Sequence, residues 1–354
     1  MTGSFDRMLG LGGLAVTLGL GCARATAPLP PAVEVLLVVN RDDATLQVIP
    51  VESPTTSTTL PLGAITPGPA GVSALNGTAL VPLGPNDAVA VVDLRTGTVS
   101  RTIPLASGSG ATGSAVVDDS IGYVANPGLN TVTRVNYLTG DTVSVAVGAR
   151  PAGVLATRGK VFVLNSNATG GAPAGASWLS VVDPLTNRLA SGIDSILMPG
   201  PGNAGSADVA QDGVLYVMNS GPASGATPGR LTLVDPVGRS ELGNFGGFGD
   251  APGAIASDGT DRLYVSSFSE GLMVFDLSKR RVVRGAGNGV AIPENSGVAV
   301  DSHGRIYALE AGDCAGGATG KVHILRPDLT EIRSVAAGAC ASAVLVTEIP
   351  PVAP

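Results

Sequence analysis

Histidine is almost missing from this 354-residue chain, which has only His303 and His323. Histidine-rich copper or haem sites are therefore excluded, and neither Cys-x-x-Cys-His nor a zinc-ligand spacing occurs. Charge is scarce too: 14% of residues are charged, the net charge is −7, and there is no Lys/Arg block. Phosphate neutralisation needs clustered cations, so a nucleic-acid partner is not expected. Aromatic residues make up 3%, with Trp178 the single tryptophan. Past Cys22 no uninterrupted apolar run approaches membrane-spanning length, which points to a soluble domain. No Gly-x-Ser-x-Gly elbow with a helix and a distant histidine is found. The Gly-rich stretches, such as that at 285–289, lack the strand–loop–helix setting of a phosphate loop.

What is abundant is glycine, at 50 residues, set among short apolar runs that recur. Each repeat begins with a strand-like run closing on Asn or an equivalent, as in Leu37-Val38-Val39-Asn40, Tyr123-Val124-Ala125-Asn126, Phe162-Val163-Leu164-Asn165 and Tyr216-Val217-Met218-Asn219. The seven closing residues are Asn40, Leu83, Asn126, Asn165, Asn219, Ser267 and Glu310, spaced by 43, 43, 39, 54, 48 and 43 positions. The next run ends in Asp or Asn and a turn, as in Val92-Asp93-Leu94-Arg95-Thr96-Gly97. There the acid or amide can bond to backbone two residues on, while the closing Gly or Asn tolerates a left-handed conformation. A third run, a link that often contains proline, and a small apolar run such as Gly153-Val154-Leu155-Ala156 complete the unit. A period in the forties built of strands is the mark of propeller blades. The expected fold is an all-β, seven-bladed propeller of four-stranded blades, rather than one of six or eight. Glu34 to Asn40 reads as the second strand of a blade and Ser342 to Ile349 as a first strand, so the tail is expected to complete the head's blade and close the ring.

The Tyr-Val-x-Asn wording resembles the YVTN-type, YncE-like propeller repeat. The run from Pro293 to Tyr307 is similar to an NHL-type repeat. The resemblance covers most of 33–349 and implies fold, while such propellers host binding modules, scaffolds and some enzymes. The second unit departs from it, since Val81-Pro82-Leu83 replaces the usual ending and Pro82 should disturb a ladder bond.

Residues 1–22 read as an export signal: Arg7 supplies positive charge, and Met8 to Leu20 is apolar but short for a membrane span. Leu18-Gly19-Leu20-Gly21-Cys22 resembles a bacterial lipobox, with Gly19 where Leu is usual. That resemblance implies lipidation of Cys22; an ordinary cleaved signal or an uncleaved anchor is the alternative. Ala23 carries no acidic retention cue, which by resemblance favours the outer membrane. Residues 23–32 form a Pro-rich tether, 33–349 the propeller and 350–354 a tail.

Cys314 falls in a loop between second and third strands and Cys340 just before the closing strand, so both open on one face and a disulfide is expected in an oxidising compartment. The alternative is two unpaired buried thiols. The longest insertions, Asn165 to Trp178, Ser220 to Arg230 and Glu310 to Lys321, crowd the same face. Arg150, Asn203, Asp250, Glu294 and Asn295 should ring the channel mouth there, with Trp178 at the end of the first insertion. Their oxygens could hold Ca²⁺, in kind like lactonase-type propellers, but hydrated turn residues are the favoured reading, since no compact Asp-x-Asp loop is present. No resident cofactor is expected. The leading expectation is a non-catalytic, monomeric, membrane-anchored scaffold that binds a protein, glycan or small ligand. A metal-dependent hydrolase using Asp250 and Glu294, and a purely structural envelope component, are the alternatives.

Overall fold

The structure is a computed structural model, and it describes residues 31–351 apart from 65, 67, 171 and 224–226. The export signal, Cys22 and most of the tether lie outside the described residues, as do 352–354 of the tail.

Seven antiparallel sheets stand around a central channel, and strands are numbered here from first (innermost) to fourth (outermost) within each. The third blade is the plainest: Ser114–Val116, Ile121–Asn126, Thr131–Asn136 and Thr142–Ala146 pair in sequence order. The first blade is assembled from both ends of the described chain. Its second strand, Val33–Asn40, lies antiparallel to Ala341–Ile349, with Val33 opposite Ile349 and Leu37 opposite Leu345. In the fourth blade the outermost strand is broken into Arg188–Leu189 and Ser195–Met198, both paired with Ser177–Asp183.

The core is a set of seven apolar clusters, one in each seam between neighbouring blades. Alternation within one strand explains how. Val35, Leu37 and Val39 face the second blade, whereas Leu36 and Val38 face Tyr307, Leu309 and Val322 of the seventh. Both faces of such a strand are buried, which is why these runs are continuously apolar instead of alternating with polar residues. Tyr123, Tyr216, Tyr264 and Tyr307 fill the same position in four blades and are buried. Tyr123, Tyr216 and Tyr307 end their hydroxyls on Asn187, Asp212 and Asp301 respectively. A buried phenol needs such a partner.

The turn residues act as their chemistry requires. Asp93, Asn136, Asp183 and Asp235 each accept a hydrogen bond from the backbone N–H two residues on, at 2.8–3.0 Å. The asparagines that close second strands clamp the third strand: Asn126 Nδ2 donates to Thr131 and Thr133, Asn165 Nδ2 to Ser180, and Asn219 Nδ2 to Thr232. Asn40 Nδ2 donates to Thr45, and its Oδ1 also accepts from Gly338 N, tying the last blade's exit to the first blade. Pro82 ends its strand opposite Val89, and pairing resumes at once through Leu83 N to Ala88 O.

Candidate functional site: the loop-bearing face and the channel

The loops between second and third strands define what we call the upper face. All three long insertions lie there. The first carries a two-residue hairpin, Ala168–Thr169 against Ala172–Pro173. The third is tied down by a disulfide between Cys314 and Cys340. Cys340 is buried and immediately precedes the closing strand, so the bond joins the last blade's insertion to the point where the ring closes.

The mouth residues share a backbone role. Arg150, Asn203, Ala251, Glu294 and Cys340 all have positive φ, from 44° to 61°, and each directly precedes an innermost strand. Gly110 also has positive φ, four residues before the third blade's innermost strand. Recurrence in so many blades shows that the inward turn itself demands the left-handed conformation, at a cost of about 1–2 kcal/mol per non-glycine residue. Arg150 and Glu294 are exposed, and their backbones are engaged by Asn130 and Ala311. Asn203 Nδ2 donates to Gly221 O, and the carbonyl of exposed Asp250 accepts from Ser267 and Ser269. Asn295 is fully buried, and neither atom of its side-chain amide has a hydrogen-bond partner. Trp178 belongs to a third strand, opposite Asn165 and Leu197, with its indole against Gly148 of the incoming link. A Cβ at Gly148 would collide with that ring, so only glycine fits there.

None of these six residues lines the channel. Its upper half, about 400 Å³, is walled by residues one to three positions further along, including Thr112, Gly153, Gly205, Ser296 and Ser342. The wall is small because neighbouring inner strands nearly touch: a Cβ on Gly113 would lie 2.5 Å from Ala152 O and 2.7 Å from Gly153 Cα. Hydroxyls stitch the seams. Thr112 donates to Ala152 O, Ser296 to Ala341 O, and Ser73 meets Ser114 at 2.8 Å.

The lower half, also about 400 Å³, contains a residue that the sequence reading passed over. Asp208 is the one ionisable side chain among those lining it. Strand pairing places Ala115 and Ala299 at the same level, each opposite the blade's buried tyrosine as Asp208 is opposite Tyr216. Asp208 Oδ2 accepts from Ser257 N at 2.7 Å and Oδ1 from Val209 N at 2.8 Å, while Ser206 Oγ accepts from Ile255 N. Burial pushes the Asp208 carboxyl up to about 6, against the pull of those two N–H donors. The signal was available: aligning the inner strands from Gly153-Val154-Leu155-Ala156 leaves Asp208 as an acid in a column of small or apolar residues.

On the lower face Glu34, Asp301 and His303 bring ligand-type atoms within 4.8 Å of one another. Asp301 is already engaged by Arg305 and Tyr307, and Glu34 by Ser302, so the group reads as a knot holding the closing seam.

The sheets and seams define this chain as a seven-bladed β-propeller. It is similar in structure to Kuenenia stuttgartiensis hydrazine synthase, with a TM-score of 0.61 and 14% identity over 83% of this chain and 95% of that one. At that identity the likeness shows the fold alone. No family model matches the chain, and none of the curated proteins does.

Proposed function

We propose that this propeller is a non-catalytic, lipid-anchored scaffold of the bacterial cell envelope that holds a protein, glycan or small ligand on its upper face. The observation that carries the reading is the asymmetry of the two faces. The three longest insertions rise together from the fourth, fifth and seventh blades, and the third is tied by Cys314–Cys340. The lower face carries mainly short turns, and the chain enters the propeller from there at Val33. A tether reaching Val33 would hold the insertions away from the membrane. The disulfide suits an exported protein, because such bonds persist in oxidising compartments. The Tyr-Val-x-Asn endings remain the reason for placing the chain with YVTN-type repeats.

A calcium-dependent hydrolase has less support. Asp250 and Glu294 are exposed and lie outside the channel wall, and among the described residues neither belongs to a group of three or more His, Cys, Asp or Glu side chains placed to hold a metal ion. Deleting 168–176 and 222–229 tests the leading reading. Photo-crosslinking in native membranes should lose its specific adduct while the far-UV circular-dichroism melt is retained. An unchanged adduct would refute it. Palmitate labelling lost in Cys22→Ser tests the anchor.

A further inference from the structure

We propose that the lower half of the channel is a binding site for a small organic ammonium ion, its charge held by Asp208 and its apolar body lying against Leu155, Leu345 and Val346. The inference does not depend on what the upper face captures.

The wall supplies the first observation. The lower cavity of about 400 Å³ is lined by alanine, valine, leucine and isoleucine together with Ser73, Ser114, Ser257 and one carboxylate. No lysine, arginine or histidine is among its lining residues, so Asp208 faces the cavity without a cationic partner. Two of the carboxylate's four lone-pair sites are used, by Ser257 N and Val209 N. The others are free for an N–H donor arriving from the channel. A carboxyl held in so poorly solvated a place gains most from a ligand that brings its own positive charge.

The approach supplies the second observation, on different residues. The pocket at the lower mouth shares Ser257, Val300 and Val346 with the channel. Its titratable lining residues are Glu34, Asp258, Asp301 and Glu348, all acids. Arg305, just outside, is engaged by Asp301 and Glu52. A mouth of one sign leading to a low-dielectric cavity concentrates counter-ions and repels anions.

The chemistry of the wall selects among cations. Ca²⁺ takes six to eight oxygen ligands and Mg²⁺ a near-ideal octahedron, which one carboxylate among aliphatic groups does not provide. A primary alkylammonium needs one charge partner, a few hydroxyl or carbonyl acceptors and an apolar groove, and these are what the wall offers.

Titration calorimetry of the full chain at pH 7.5 tests the idea with n-butylammonium and n-hexylammonium chloride. Calcium chloride, sodium butyrate and n-butanol serve as the comparison set. The proposal expects saturable binding of the ammonium ions, tighter for hexyl, and none of butyrate or butanol. Asp208→Asn keeps an acceptor for Ser257 N and should weaken the Kd at least tenfold while the melt stays cooperative. Methyl NMR of the unmutated chain gives a readout independent of that variant's folding: shifts should centre on Leu155, Leu345 and Val346. No binding by either ammonium ion would overturn the proposal, as would equal binding by Asp208→Asn or by butanol, calcium in place of the amines, or shifts elsewhere.

Discussion

Replacing Cys314 and Cys340 together by alanine removes the one covalent tie at the ring's closing point. Alanine suits both sites, since Cys340 is buried and Ala251 already adopts the same positive φ at the corresponding place in another blade. The bond spans a sequence separation of 26. On the chain-entropy account a loop of that length contributes about 3.5 kcal/mol by restricting the unfolded chain. Unfolding entropy near 60 °C is about 2.1 cal/mol/K per residue, so a propeller of roughly 320 residues changes by about 0.7 kcal/mol per degree. The expected fall in Tm is therefore about 5 °C. Calorimetry of the oxidised parent, the parent under a phosphine reductant, and the double variant makes the comparison internal, because the last two should melt together. A double variant that melts within 1 °C of the oxidised parent would refute the reasoning, since the loop would then gain nothing from its tie.

Two further outcomes follow from the channel wall. The Asp208 carboxyl sits at about 6 in the fold against 3.8 in the open chain, so the folded state binds its proton more tightly. The associated stability is fully present below about pH 3.8 and is lost as pH rises through about 6. A rise from 3.8 to about 6 corresponds to at most about 3 kcal/mol. Asp208→Asn should flatten that part of the Tm–pH curve, and parallel curves for variant and parent would contradict it. Gly113→Val should destabilise by about 2 kcal/mol or more in urea melts, because its Cβ meets Ala152 O and Gly153 Cα across the seam. Gly205→Ala, where a Cβ meets nothing within 4 Å, should cost less than half as much; equal effects would contradict the close-packed seam.

The fold was legible because its determinants are local and repeated. Apolar runs ending in Asn, Asp-led turns and an offset between head and tail each follow from residues a few positions apart. Leu36 and Leu37, facing opposite neighbours, show why continuous apolar runs meant strands buried on both sides. The disulfide was legible for the same reason, since blade register put both cysteines on one face.

The site was less so. Arg150, Asn203 and Glu294 stand out in sequence as polar residues near an expected mouth, yet a shared left-handed backbone accounts for their common position. Which residues reach the channel depends on the bulge that follows, where the pairing of Pro151 with Asn165 jumps to Gly153 with Leu164. That bulge has no fixed sequence signal. Asp208 was passed over because an acid within a short Gly/Ala/Ser-rich run reads as surface until the strand's level in the ring is known. The break in the fourth blade's outermost strand was equally invisible, since exposed edge strands carry weak patterning.

Hydrogen exchange followed by mass spectrometry, resolved to a peptide covering 341–349, measures ring closure most directly. Pairing of Leu37 with Leu345 and its neighbours predicts that these amides exchange as slowly as those of 151–157, an innermost strand of the fourth blade that is likewise paired on one side. Exchange of the 341–349 peptide within seconds, with the fourth blade still protected, would mean that the ring stands open.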